Sequence, residues 1–194
     1  KPLLEKPNPV PIKRWMTIGQ LSQKAWTTVF GGHWRRKGGG IHVSHAGESF
    51  GGRALCLSTR DVPETPFELA VEVKIDDESG AAGLAWAADG GDRHYGFYPS
   101  AGQMRLTRFD GANVFSWTIL DQRLTRHYLP GDWNRLKMRN EGNRFYCYVN
   151  GHLIFESSDR GLSGGRAGLA KFRNTVASFR NFQLGTKVQD DSNP

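Results

Sequence analysis

Apolar and polar residues alternate along most of this chain, and the alternation predicts strands. From Phe67 to Ile75 every second residue is apolar, with Glu68, Glu72 and Lys74 between them. The same period of two recurs in the segments 134–139 and 145–149. Because successive side chains of a strand point to opposite faces, this period predicts sheets with one apolar and one polar face.

Turn signals separate the strand patterns. Asp110-Gly111, Glu141-Gly142-Asn143 and Asn150-Gly151 are predicted hairpin turns, because Asn and Gly tolerate positive φ. Further strands are predicted at 26–30, 31–34, 41–43, 54–59, 83–88, 94–98, 103–109, 115–119, 168–172 and 176–184. No long helical pattern occurs. Many short strands at this spacing predict an all-β fold, an antiparallel two-sheet β-sandwich.

The domain organisation predicted from the 194 residues is simple. Residues 1–14 contain four prolines and are expected to form a tail or linker. Residues 15–186 are expected to form one sandwich domain, and residues 187–194 a polar C-terminal tail. No apolar run reaches the roughly 20 residues of a membrane span.

The chain is basic, with a net charge of +7 and a pI near 9.6. Such a charge favours polyanions, including nucleic acid and sulfated or uronic polysaccharides. The cations are dispersed, however, and Arg35-Arg36-Lys37 is the only tight run. The pattern therefore favours a solvated basic surface and disfavours nucleic acid as the partner. Cys56 and Cys147 lie in predicted strands and are expected to be buried free thiols, with a disulfide across the sandwich as the alternative.

A series of short motifs carries a family resemblance over residues 26–185. The series includes Gly83-Leu84-Ala85-Trp86, Trp133-Asn134-Arg135-Leu136-Lys137, Val149-Asn150-Gly151 and Phe179-Arg180-Asn181-Phe182. The chain resembles the concanavalin-like (laminin-G-like) jelly-roll superfamily. Within it, the chain is most similar to the 3-keto-disaccharide hydrolase domain family and its lectin-like relatives. The resemblance implies a jelly-roll sandwich that handles carbohydrate, in a secreted or periplasmic bacterial protein.

The chain departs from the pattern of the hydrolase members at two positions. Those members carry an Arg at the end of the Gly-Leu strand and a Tyr-Glu-x-Gln run on the next strand. Here Ala87 stands at the Arg position, and Tyr95 is followed by Gly96 where the acid would be. Glycoside cleavage usually requires two carboxyl groups across the sugar. The departure therefore favours binding over catalysis.

Aromatic residues supply the candidate sugar platform, because their rings stack on the apolar faces of sugars while tyrosine adds a hydroxyl group. Trp117, which alternates with Phe115 and Ile119, is instead expected in the core. The residues predicted to bind ligand are Trp86, His94, Tyr95, Tyr98, Arg105, Tyr146 and Tyr148.

Acidic residues supply the catalytic and metal candidates. Asp92 and His94 enter the aromatic strand from an exposed loop and could act as acid and base, with Glu72 as a further candidate. Glu68 and Glu72 would lie about 13 Å apart on one strand face, too far for a glycosidase pair. No cofactor is required. Asp89 and Asp92 are candidate ligands for a calcium ion, and Asp76-Asp77-Glu78 is a second candidate calcium loop.

Arg135, Lys137 and Arg139 share one strand face. Three like charges on a strand repel unless acids lie opposite, and Glu68 and Glu72 are the predicted cross-strand partners. A groove for an anionic ligand is the alternative for these cations.

The function predicted from the sequence is a carbohydrate-binding, lectin-like module. One alternative is a glycoside hydrolase acting on 3-keto-disaccharides or related glycans. Another is an interaction module that docks onto a protein or an adjacent domain. These alternatives differ in what the site must contain: exposed rings, paired carboxylates, or a large apolar patch.

Overall fold

The computed structural model describes residues 24–189, and fourteen strands form two antiparallel seven-stranded sheets. The strands are β1 (Trp26–Val29), β2 (Gly31–Lys37), β3 (Gly40–Gly47), β4 (Ala54–Ser58), β5 (Phe67–Ile75), β6 (Ala81–Ala88), β7 (His94–Ser100), β8 (Gln103–Phe109), β9 (Trp117–Arg123), β10 (Asn134–Asn140), β11 (Phe145–Val149), β12 (His152–Ser157), β13 (Arg166–Phe172) and β14 (Ala177–Gly185). Short 3-10 turns occur at Phe50–Gly52 and Val114–Ser116.

The chain passes repeatedly from one sheet to the other, as in a jelly roll. Sheet A has the order β1-β4-β13-β6-β7-β8-β9, and sheet B the order β12-β11-β10-β5-β14-β3-β2. The predicted antiparallel sandwich is confirmed. Within residues 24–189, no helix is long and apolar enough to cross a membrane.

The main core lies between the inner faces of the sheets. Period-two alternation places the apolar residues of each strand on that face, and the polar residues between them face outwards. The inner face of sheet A contributes Cys56, Leu84, Trp86, Tyr95, Phe97, Met104, Leu106 and Leu169. Sheet B contributes Leu69, Val71, Val73, Leu136, Met138, Cys147, Phe155 and Phe179. Cys56 and Cys147 are buried free thiols, as predicted.

A second, smaller hydrophobic cluster lies on the outer face of sheet A. We call it the outer aromatic cluster; it contains Val29, Leu55, Leu57, Ala85, Tyr98, Phe109 and Phe172, with Phe30 and Trp117 packed against it. The connection between β3 and β4 folds over this cluster. Arg173 donates its backbone N–H to Gly51 of that connection (2.6 Å), and the Phe50 ring meets Trp117 edge-on at 5.6 Å. This face of sheet A is therefore partly closed.

The hairpin between β8 and β9 differs from its prediction. Asp110-Gly111 does not form a tight turn; instead, residues 110–116 form a longer connection that includes the second 3-10 turn. Phe115 lies in that turn and is 97% exposed, and Ile119 is 51% exposed. The predicted strand 115–119 is thus confirmed only from Trp117 onwards: Phe115 and Ile119 face solvent at this sheet edge, whereas Trp117 is half-buried against the outer aromatic cluster.

The proline-rich segment 1–14 lies outside the described residues. Of the predicted C-terminal tail, residues 187–189 cross the outer face of sheet B. Val188 is buried there and donates its backbone N–H to Glu68 (2.9 Å).

Candidate functional site

Two of the predicted platform rings point into the core. Trp86 is 1% exposed and stacks on Tyr95, with a centroid distance of 5.5 Å. Phe145 meets both rings edge-on. The burial follows from the alternation of β6 and β7, which turns both residues towards sheet B. Neither ring is therefore available as an exposed stacking surface, and this corrects the prediction for both Trp86 and Tyr95.

His94, Tyr98 and Arg105 lie on the outer face of sheet A. His94 and Tyr98 are buried under the outer aromatic cluster, while Arg105 is half-buried. The Tyr98 hydroxyl hydrogen-bonds Thr107 at 2.9 Å, and Arg105 donates to Gln122 at 2.9 Å. The structure therefore brings these three residues to one face, but the outer aromatic cluster buries His94 and Tyr98.

Tyr146 and Tyr148 lie on the outer face of sheet B, on the opposite side of the sandwich. Both are half-buried, and the Lys137 ammonium sits 4.7 Å from the centroid of the Tyr148 ring. They do not join the other predicted residues.

The basic strand face of β10 is neutralised in part as predicted. Arg139 pairs with Glu68 across the strands at 3.1 Å. Glu72, however, pairs with Arg180 of β14 at 3.1 Å and accepts from the side-chain amide of Asn181. One predicted pair is thus confirmed, and the other acid is bound by the neighbouring strand on its far side.

Arg53 occupies the centre of the outer aromatic cluster. Its side chain is fully buried and its guanidinium lies 4.9–5.5 Å from the ring centroids of Phe30, Phe109 and Trp117. It donates to the Asp92 carboxylate at 3.0 Å and to the Asp92 carbonyl at 2.9 Å. A buried charge is tolerated because it is paired and its donors are satisfied.

His94 is neutral in this environment. Burial, followed by the positive charge of Arg53, lowers the pKa of His94 from 6.5 to about 3. Its Nδ1 lies 2.9 Å from the carbonyl of Tyr95, so Nδ1 donates and the unprotonated Nε2 faces the Arg53 guanidinium at 3.4 Å. This arrangement stabilises the cluster and leaves neither ring nitrogen free.

The three catalytic candidates do not assemble. Asp92 and His94 both contact Arg53 at the outer face of sheet A, whereas Glu72 lies on the outer face of sheet B. A general acid–base pair needs both groups within reach of one substrate. The structure therefore brings Asp92 and His94 together at Arg53 and leaves Glu72 apart from them.

The predicted calcium loops do not fit the ion. Asp89 accepts from the backbone N–H groups of Gly91 (2.8 Å) and Arg93 (3.3 Å), and Asp92 is bound by Arg53. Asp77 likewise caps Ser79. Across residues 24–189, no group of three or more His, Cys, Asp or Glu side chains could hold a metal ion. Calcium prefers several oxygen ligands, which these loops do not bring together.

Gly96 faces outwards between His94 and Tyr98, where the hydrolase pattern would place its acid. A Cβ atom at this position would lie 2.9 Å from the Tyr98 ring and 3.1 Å from the Phe109 ring. The outer aromatic cluster therefore fills the space that a carboxylate side chain would need. The missing acid at position 96 is therefore consistent with the packing around Gly96, which leaves no space for a longer side chain.

A polar network lies where Tyr95 reaches the end of the sandwich. Its hydroxyl donates to Asp159 at 2.5 Å and accepts the N–H of Leu162, while Arg108 bridges Asp159 and Asp110. Burial and the hydrogen bond to Asp159 raise the pKa of the Tyr95 phenol. The phenol stays protonated, and the network ties the β12–β13 connection to sheet A.

A cavity of about 430 Å³ opens between the sheets near β1, the β2–β3 turn and β14. We call it the edge cavity; it is lined by Trp26, Arg36, Gly39, Gly40, Ile41, Leu169, Phe179, Arg180, Asn181 and Phe182. Leu169 and Phe179 are buried core residues, whereas Arg36, Arg180 and Asn181 are exposed at the rim. The edge cavity thus has an apolar floor and a polar mouth.

Local backbone features create the edge cavity. The register of β14 against β5 shifts between Arg180 and Gln183, and Asn181 adopts a positive φ of 54°. A β-bulge of this kind re-aims side chains, and Phe182 meets Trp26 edge-on at 5.2 Å. Opposite, Gly40 approaches β14 so closely that a Cβ atom would lie 2.3 Å from the carbonyl oxygen of Phe179.

Sequence reasoning missed most residues of the edge cavity. One signal was present: Phe179-Arg180-Asn181-Phe182 places two polar residues between apolar ones and so breaks the period of two. Such a break inside a strand indicates a bulge. Arg36 gave no comparable signal, because its neighbours Arg35 and Lys37 made it part of an ordinary basic run.

Solved structures with related folds support the jelly-roll assignment. A carbohydrate-binding module, CBM66 from Bacillus subtilis, is 21% identical over 84% of this chain and 96% of its own, with a TM-score of 0.70. A Bacillus subtilis protein of unknown function with a galectin-like fold is 16% identical over 84% and 90%, with a TM-score of 0.64. The receptor-binding domain of botulinum neurotoxin D is 11% identical over 89% of this chain and 47% of its own, with a TM-score of 0.54. These likenesses confirm the concanavalin-like sandwich.

The family is decided by the sequence. Among curated proteins, no match to the chain was found. The profile described as a 3-keto-alpha-glucoside-1,2-lyase-like domain matches residues 16–185, which is most of the chain. The resemblance drawn from the short motifs is therefore confirmed, and the chain belongs to the 3-keto-alpha-glucoside-1,2-lyase-like domain family.

Proposed function

We propose that this protein is a carbohydrate-binding module and that the edge cavity is its sugar site. One observation carries the proposal: the edge cavity combines two half-exposed rings, Trp26 and Phe182, with exposed guanidinium and amide groups at its rim. Ligand sites are typically concave and largely apolar, with a few polar groups that orient the ligand. Sugars suit such a site, because rings stack on their apolar faces and polar side chains bind their hydroxyls.

Family membership and fold support the same class of ligand. The family is named for a glucoside, and the carbohydrate-binding module CBM66 shares the fold. The filled space at Gly96 supports binding over cleavage, because the outer face of sheet A leaves no room there for the acid of the hydrolase pattern. We place the module in a secreted or periplasmic bacterial protein, an expectation that cell fractionation checks.

Calorimetric titration with a panel of mono- and disaccharides tests the sugar site. We expect Phe182→Ala to weaken binding at least tenfold, because it removes one ring of the edge cavity. Phe115→Ala is the matched control: that ring is exposed on the far side of sheet A and should leave binding unchanged. Binding that survives Phe182→Ala but is lost in Arg105→Ala would move the site to the outer face of sheet A.

Catalysis is the second candidate, favoured by the lyase named in the family description. Asp92 and His94 are the groups that would act, and both are held by Arg53. The proposal predicts no turnover of 3-keto-disaccharides by the full chain. Turnover that is abolished in Asp92→Asn, with the fold intact by circular dichroism, would establish an enzyme instead.

Docking onto a protein or an adjacent domain is the third candidate. Val114 and Phe115 are exposed in one turn, and Ile119 and Leu124 are exposed on or beside the neighbouring edge strand. Exposed apolar groups of this kind suit interaction surfaces. A loss of partner binding in Phe115→Ser, with sugar binding unchanged, would assign docking to this edge.

A further inference from the structure

We infer that the edge cavity selects an anionic sugar, one that carries a carboxylate or a sulfate group. The inference rests on the proposed sugar site and names the class of its ligand. It follows from the charges at the cavity: among residues 24–189, two arginines and no acidic residue line it.

Arg36 is the residue that can bind the anion. Strand β2 alternates, so Arg36 faces the same side as the buried Trp34, towards the space between the sheets. Its guanidinium is exposed, and no residue between 24 and 189 holds it by a hydrogen bond or an ion pair. Guanidinium groups bind carboxylate and sulfate-like oxyanions through two parallel hydrogen bonds.

Arg180 has a different role, because its charge is already engaged. It pairs with Glu72 at 3.1 Å, and its guanidinium lies 4.0 Å from the centroid of the Trp133 ring. Glu72 also accepts from Asn181, so this acid is bound by two rim residues. Glu72 is therefore neutralised, and among residues 24–189 Arg36 is the lining arginine that has no ion pair.

Two further cations lie beside Arg36 on the same strand. Arg35 and Lys37 flank it on β2, and alternation turns their side chains to the opposite face of the strand, where after burial they lower the pKa of His42. As sequence neighbours of Arg36 they still add positive charge close to the mouth. Summed charge of one sign at a concave surface raises the local concentration of oppositely charged ligands. A neutral sugar gains nothing from this field, whereas a uronate or a sulfated sugar does.

The test compares charged and neutral forms of one sugar on the full chain. Calorimetric titrations use glucose, glucuronate and glucose 6-sulfate, with galactose and galacturonate as a second pair. We expect at least one anionic form to bind tenfold more tightly than its neutral counterpart. Arg36→Gln should remove that tenfold preference, so that the anionic and neutral forms bind equally. Arg126→Gln, the control, removes an exposed charge outside the cavity lining and should leave the preference in place.

The outcomes separate this inference from the proposed function. Equal binding of neutral and anionic forms, both lost in Phe182→Ala, overturns the charge selection and keeps the sugar site. An anion preference that Arg126→Gln reduces as much as Arg36→Gln overturns it too, because the effect would then be general to the surface. Absence of binding by every sugar overturns both. A salt-dependent preference that only Arg36→Gln removes supports the inference.

Discussion

Single residues on the outer face of sheet A explain why this chain departs from the hydrolase pattern. Gly96 is surrounded by the Tyr98 and Phe109 rings, and Arg53 fills the rest of the outer aromatic cluster with a paired charge. The sequence showed that the acid was missing. It could not show what replaced it, because the rings that cover Gly96 come from two strands and are packed beneath a distant connection.

Enlarging Gly96 tests that packing. We expect Gly96→Ala to lower the free energy of unfolding by about 1–3 kcal/mol, the usual cost of overpacking a filled site. Gly185→Ala is the control, because a Cβ atom at that strand glycine would meet its nearest neighbour only at 3.6 Å. Urea denaturation of the variants measures the difference. Equal stability of Gly96→Ala and the unmodified protein would contradict the filled packing around Gly96.

The buried His94 predicts an acid-dependent loss of stability. Its pKa is about 3 in the folded protein and 6.5 when unperturbed, so between these values the unfolded chain binds a proton that the folded chain does not. Stability then falls as the pH drops from 6.5 towards 3, by at most about 1.4 kcal/mol per pH unit from this group. Urea midpoints at pH 7, 6 and 5 should therefore fall more steeply for the unmodified protein than for His94→Gln. Parallel pH profiles would contradict the assignment of a neutral, buried imidazole.

Strands and their connections were predictable to different degrees. The strands at 67–75, 103–109 and 145–149 were confirmed because one face of each is buried, and burial imposes the period of two. Edge strand β9 was predicted less well, because Ile119 faces solvent and Trp117 and Leu120 are only half-buried, so burial imposes no strict alternation on it. Long connections were the least predictable, since their conformations depend on tertiary contacts.

The connection between β3 and β4 depends on Arg53. This residue links the connection to Asp92 and to three aromatic rings, so Arg53→Ala should destabilise the fold by more than about 2 kcal/mol through lost packing and hydrogen bonds. Arg126→Ala removes an exposed arginine and should change stability by less than about 0.5 kcal/mol. Thermal or urea unfolding compares the two. Similar small effects would mean that Arg53 is not structurally required.

At the scale of the whole molecule, the sandwich was predictable and the site was not. Alternation, turn residues and family motifs predicted the two-sheet sandwich, because each of these signals can be recognised in a short stretch of sequence. The edge cavity arises where β1, the β2–β3 turn and the β14 bulge meet, and these segments are far apart in sequence. The predicted platform failed because alternation shows that Tyr95 and Tyr98 of β7 face opposite sides of the sheet, but does not show that both sides are covered.

The most direct measurement is to map a bound sugar by NMR on the isotope-labelled full chain. The saccharide used is the one that binds most tightly by calorimetry. We predict that its titration shifts the Trp26 indole and the backbone amides of Arg36, Asn181 and Phe182, at the edge cavity. Shifts confined to Arg105 and Trp117 on sheet A, or to Tyr146 and Tyr148 on sheet B, would contradict the central claim.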